Sequence, residues 1–160
     1  MKKSKVAFWA VMLVTLILGQ TLNVSASEAE WYELKEVEND PNEDVAILEE
    51  DFEITPYSRY ILGTSVILKR PSAGVLWMRS EVYCTETMKK ITTVFTVQKK
   101  VGNSWVDVGQ GSVSVNNSNS MYKSMEATGV SAGTYRCIAN TQVISNTGYA
   151  ETSSVISGSV

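Results

Sequence analysis

The sequence predicts an all-β protein, an antiparallel sandwich of about seven strands over residues 54–160, and three observations carry that reading. Val, Thr, Ser, Tyr and Ile dominate this stretch, with Gly and Asn at intervals, a composition that suits pleated, half-buried strands. No helical period persists in it beyond about two turns. The chain's two cysteines, Cys84 and Cys137, lie 53 positions apart within it, with Trp105 between them and Tyr135 two residues before the second.

The strands follow in order. Residues 60–68 form the first, which ends at a turn made by Pro71 and Gly74. In the second, Leu76, Met78, Val82 and Cys84 alternate with Trp77, Arg79, Glu81 and Tyr83, so that Trp77 faces outward. Ile91, Phe95 and Val97 share one face of the third, and Gly102-Asn103 turns it as a hairpin into the fourth at Trp105, prolonged by Val113 and Val115. Residues 116–120, all Asn and Ser, read as a loop before a weaker fifth strand over 121–127. Tyr135, Cys137, Ala139, Thr141 and Val143 line one face of the sixth, and residues 149–156 close the set.

Two segments precede the domain. Lys2, Lys3 and Lys5, the uncharged apolar run over residues 6–18 and the small residues Val24-Ser25-Ala26 have the composition and order of a secretory signal peptide cleaved after Ala26. Thirteen apolar residues at about 1.5 Å each fall short of a bilayer core of roughly 30 Å, so no stable membrane anchor is expected after cleavage. Residues 27–53 hold twelve acids against one base, Lys35. Such a segment repels itself and is expected to be an acidic, flexible linker, pro-segment or docking arm; Trp31, Leu34 and Val37 offer only one short helical stripe. The domain that follows carries ten bases and five acids, the reverse balance.

Export sets the reading of the cysteines. In an oxidising compartment two thiols default to a disulfide, and a loop of this length would contribute roughly 4 kcal/mol in the loop-closure account. Cys84 and Cys137 are therefore expected to be bonded.

Tyr83-Cys84, the run containing Phe95, and Gly133-Thr134-Tyr135-Arg136-Cys137 resemble the second, third and sixth strands of an immunoglobulin-like domain. More narrowly, Ile54-Thr55-Pro56-Tyr57-Ser58-Arg59-Tyr60-Ile61, the hairpin from Val97 to Trp105, and Gly133-Thr134-Tyr135-Arg136 are similar to a group of small uncharacterised secreted proteins of Gram-positive bacteria. The resemblance covers residues 54–160 and implies a fold, an immunoglobulin-like or fibronectin-like sandwich, but no activity. Trp105 departs from the immunoglobulin pattern, which places a tryptophan on the third strand; Phe95 takes that place here.

The chain contains no histidine, which removes the commonest general base and metal ligand together with Ser-His and Cys-His nucleophile pairs. The domain's acids Glu81, Glu86, Asp107, Glu126 and Glu151 are scattered, unlike a glycosidase pair. No phosphate loop or zinc spacing occurs, so no catalytic residue, cofactor or metal is expected. Trp77 with Lys89, Lys90, Lys99 and Lys100 forms the candidate binding surface; the two lysine pairs fall at opposite ends of a sandwich and make no nucleic-acid stripe. The expected function is a secreted, extracellular, non-catalytic binding or adhesion module whose partner is a protein, a glycan or an anionic cell-wall polymer. A structural or precursor role with an acidic pro-segment is the alternative, and a histidine-free hydrolase a more remote one.

Overall fold

A computed structural model describes residues 30–38 and 58–160. The expected signal peptide with its cleavage point after Ala26, residues 27–29 and 39–53 of the acidic segment, and residues 54–57 of the expected domain lie outside the described residues. Six strands occur in chain order: β1 (Tyr32–Val37), β2 (Ile61–Ser72), β3 (Val75–Val101), β4 (Ser104–Thr128), β5 (Tyr135–Ile144) and β6 (Ala150–Ile156). No helix occurs among the described residues.

The organising element is the β3–β4 hairpin, whose arms run 27 and 25 residues and pair from Val101–Ser104 at the tip to Val75–Thr128 at the far end. β2 pairs with the first half of β3 and β5 with its second half, and β6 extends β5. β2 has no backbone pairing with β5 or β6 yet packs against both. The long hairpin therefore folds back on itself, and its halves become the two facing layers of a sandwich. The crease is where pairing lapses, between Tyr83–Ser120 and Met88–Ser118, and where Asn117 takes a left-handed φ of 53°. At the crease the side-chain parity also changes: Leu76, Met78, Val82 and Cys84 point inward before it, Ile91, Phe95 and Val97 after it.

The sequence expectation of seven strands is corrected here. The second and third expected strands are the two halves of β3, the fourth and fifth are those of β4, and residues 116–120 are a bend within β4. Both tight turns stand where Gly was placed, with Gly74 at φ +81° and Gly102 at φ +59°. Tyr135, Cys137, Ala139, Thr141 and Val143 share the buried face of β5 as expected.

β1 was not foreseen. Residues 32–37 lie in a strand, not in a flexible segment or a helical stripe. Tyr32 and Glu33 run parallel to Gly109 and Gln110, whereas Leu34 through Val37 run antiparallel to Ala127 through Ser124. β1 thus crosses from one layer to the other along the free edge of β4. The acidic composition is compatible with a strand because only Tyr32 and Leu34 turn inward, while Glu33, Lys35 and Glu36 are exposed.

The expected disulfide is also corrected: Cys84 and Cys137 are buried free thiols. Cys84 lies opposite Ile61 near the crease, close enough to Glu151 to feel its charge, and Glu151 pairs with Val143. Cys137 is six residues further along β5, about 20 Å at strand rise, whereas a disulfide needs Cα atoms within about 7 Å. Burial pushes the Cys84 thiol up to about 11, with the Glu151 carboxylate adding to it, and burial pushes Cys137 up to about 12. Both serve as small core hydrophobes.

Candidate functional site

The end of the sandwich opposite the crease gathers the β2–β3 turn, the β3–β4 hairpin tip, the loop between β4 and β5, and the C-terminal Val160, which exchanges backbone hydrogen bonds with Tyr135. Tyr135 organises it. Its hydroxyl donates to the carbonyl of Ser131 four residues upstream at 3.0 Å, the tie of a tyrosine corner. Its buried ring is flanked by Arg70 at 5.3 Å and Lys99 at 5.8 Å. Arg70 donates to the carbonyls of Ser131 (2.7 Å) and Gly133 (3.0 Å), and Lys99 Nζ donates to Ser131 Oγ at 2.6 Å. Gly133 has a φ of +151°, which side-chain-bearing residues rarely adopt, and its bare Cα leaves room for the Lys99 side chain to cross. Tyr32 reaches the same cluster from β1, 3.0 Å from Ser131 Oγ, and donates to Glu30 at 2.6 Å. Burial, then this hydrogen bond to Glu30, pushes the Tyr32 phenol up to about 12; the bond from Tyr32 is in turn the main reason that Glu30 lies below the usual carboxylate range.

Beside this cluster a polar row crosses three strands on the outer face. Gln98 on β3 pairs laterally with Asp107 on β4 and Arg136 on β5, donating to Asp107 Oδ1 and accepting from Arg136 Nε, both at 2.7 Å. That bond aims the guanidinium of Arg136 over the half-buried ring of Trp105 at 4.3 Å, and Lys100, opposite Trp105 in the hairpin, stands 6.0 Å from the same ring. Val101 at the tip is 57% exposed. Arg70, Lys99, Lys100 and Arg136 are bonded to carbonyls, a hydroxyl, an amide and ring faces, and none of them joins an ion pair among the described residues. The end thus gathers four cations and an aromatic ring, with Asp107 and Glu30 beside them, held by the contacts just named.

The sequence-chosen residues are not brought together. Lys99 and Lys100 belong to this end, while Lys89 and Lys90 are exposed at the crease, lining a hollow of about 410 Å³ with Asn116, Asn117 and Ile144. Trp77 is corrected: it does point away from the central core, but it is 0% exposed, with Lys69 at 5.2 Å and Arg79 at 5.7 Å from its ring. Long side chains from neighbouring positions cover an outer-face ring in the middle of a half-sheet. Arg79 in turn lies 4.4 Å from the ring of Tyr122 and 2.8 Å from Glu81. The sequence reading passed over Arg70, Gln98, Asp107 and Arg136. The usable signal was the Gly102-Asn103 turn, whose register sets Trp105 against Lys100 and carries Asp107 to Gln98.

Glu81 is tied to Arg79, and Glu151 lies on β6 with its carboxylate over the start of β2. No group of three or more Cys, Asp or Glu residues that could hold a metal occurs among the described residues. No described helix is long and apolar enough to cross a membrane.

No protein-family model and no curated protein matches the chain. Similar solved structures include the collagen-binding subdomain of the Enterococcus faecalis surface protein ACE, 8% identical, covering 64% of this chain and 97% of that one at a TM-score of 0.38. Another is the GAE domain of GGA2p from Saccharomyces cerevisiae, 10% identical, covering 68% of this chain and 94% of that one at a TM-score of 0.32. Likeness at this level transfers no function from either neighbour.

Proposed function

We propose that the protein is an exported, extracellular, non-catalytic binding module that takes an anionic polymer, such as an acidic glycan or a polyol-phosphate wall polymer, at the end of the sandwich built around Trp105. The observation that carries this reading is the guanidinium of Arg136 over Trp105 at 4.3 Å, with Lys100 at 6.0 Å from the same ring and Arg70 and Lys99 beside them, four cations that join no ion pair among the described residues. Trp105 supplies an apolar ring face for a sugar or polyol, and the surrounding cations supply the attraction for its anionic groups. Export rests on the signal-like first 26 residues, and kinship with small secreted Gram-positive proteins and an immunoglobulin-like ancestry belong to the same proposal.

The precursor reading is the weaker one, because a pro-segment over residues 27–53 would take β1 away with it and uncover the β4 edge. The test is affinity electrophoresis against a polyuronate and a polyol-phosphate polymer at low and high salt. The double variant Lys100→Gln/Arg136→Gln should bind roughly tenfold more weakly at low salt, with the difference fading as salt screens the charges. Equal retardation of both proteins at every salt concentration would overturn the assignment.

A further inference from the structure

The edge of β4 is shaped to receive a strand. A Cβ added at Gly109 would stand 2.8 Å from Leu34 Cδ1 and 2.9 Å from the Tyr32 carbonyl oxygen. One at Gly111 would stand 2.8 Å from Leu34 Cβ and 2.6 Å from Met125 Cε. Two missing side chains therefore form a notch that Tyr32 and Leu34 fill, with burial to 7% and 8% exposure. The charges match as well: Lys123 grips Glu36 at 2.6 Å, and Lys99 lies in the field of Glu30. Without β1 this edge would present unpaired backbone groups along two layers, the kind of template that recruits another strand.

Residues 38–60 join β1 to β2. These 23 positions reach about 75 Å when extended, far more than the width of one such domain. We propose that β1 exchanges between copies, the notched edge of one copy taking the β1 of a second. Docking in cis and in trans makes the same contacts, so the balance between them is set by concentration alone. A tether of this length holds its own strand at an effective concentration on the order of millimolar. Exchange is then negligible in dilute solution and substantial where copies crowd, as on a polymer to which many of them bind. The inference is independent of what the Trp105 end binds.

Lys35 and Glu126 are register partners in the antiparallel part of the β1–β4 pairing, which provides a covalent trap. Full-length Lys35→Cys and Glu126→Cys chains are unfolded together, refolded at about 1 mM and oxidised. The expected product is a disulfide-linked heterodimer, reduced roughly tenfold when the Glu126→Cys chain also carries Gly111→Val, and lost on refolding at micromolar concentration. A chain with both cysteines should close internally when dilute, which checks the register. Failure of the mixture to link while the doubly substituted chain closes would overturn the proposal. So would equal linking with the notch filled, or failure of the dilute double variant to close.

Discussion

Glu151 shows how one carboxylate fixes the start of a strand. It accepts hydrogen bonds from the Ser58 hydroxyl (2.7 Å) and from the backbone amides of Arg59 (3.1 Å), Tyr60 (2.8 Å) and Ile61 (3.3 Å), which clamps the entry of β2 to β6. Burial alone would raise its pKa, but the bonds from Ser58 and the three amides outweigh burial and hold it below the usual carboxylate range. A depressed folded pKa contributes stability that is fully present above the unfolded value near 4.5 and is lost as pH falls through the folded one. Glu151→Gln should therefore lower stability by about 1–2 kcal/mol at neutral pH, and the gap in melting temperature should close in acid. A gap that is unchanged down to pH 2 would contradict the clamp. The cysteines give a second prediction at this scale. Buried thiols with raised pKa values should resist a thiol reagent in the folded protein and react at both positions after unfolding, and a reductant should leave the melting temperature unchanged. Tyr135→Phe, which removes the tie to Ser131, should cost about 1–2 kcal/mol in denaturant unfolding.

Among the elements, β1 contributes more than its six residues indicate, because it closes an edge shared by both layers. Removing residues 30–38 takes away the buried side chains of Tyr32 and Leu34 and exposes the apolar side chains they cover. Each buried side chain of this size is worth about 1.5–3 kcal/mol, so the loss of two should cost roughly 3–6 kcal/mol in denaturant unfolding. A loss under about 1 kcal/mol would mean that the strand is not seated. Gly111→Val in the otherwise unaltered chain should reproduce much of that loss, because it fills the notch while leaving the strand's own sequence intact. A variant as stable as the parent would show that the glycine is not needed for docking.

Across the whole molecule, the sandwich comes from folding one long hairpin in half, and that folding separates the candidate sites. Lys89 and Lys90 go to the crease, while Lys99 and Lys100 go to the open end with Trp105 and Arg136. Residues 39–53, the acidic remainder that follows β1, carry seven acids and no base next to a cationic domain. Their deletion with β1 retained should strengthen binding of an anionic polymer at low salt, with the gain fading at high salt. Equal binding by the two chains would make this stretch a spacer only.

The sequence by itself determined the all-β class, both glycine turns and the buried face of β5, because period-two alternation and left-handed turn residues are properties of neighbouring positions. It also held the Lys100–Trp105 contact, since a two-residue hairpin fixes its own register. Three features depended on the tertiary structure. Whether residues 116–120 loop out or bend within a strand depends on pairing with residues 83–88, some thirty positions away. Whether an acidic six-residue run is strand or coil depends on an edge with two glycines missing their side chains. Whether two cysteines meet depends on where the crease sets them along different strands, and here it places Cys84 near the fold and Cys137 toward the open end. Each is a long-range contact, whose free energy comes from partners that local spacing does not specify.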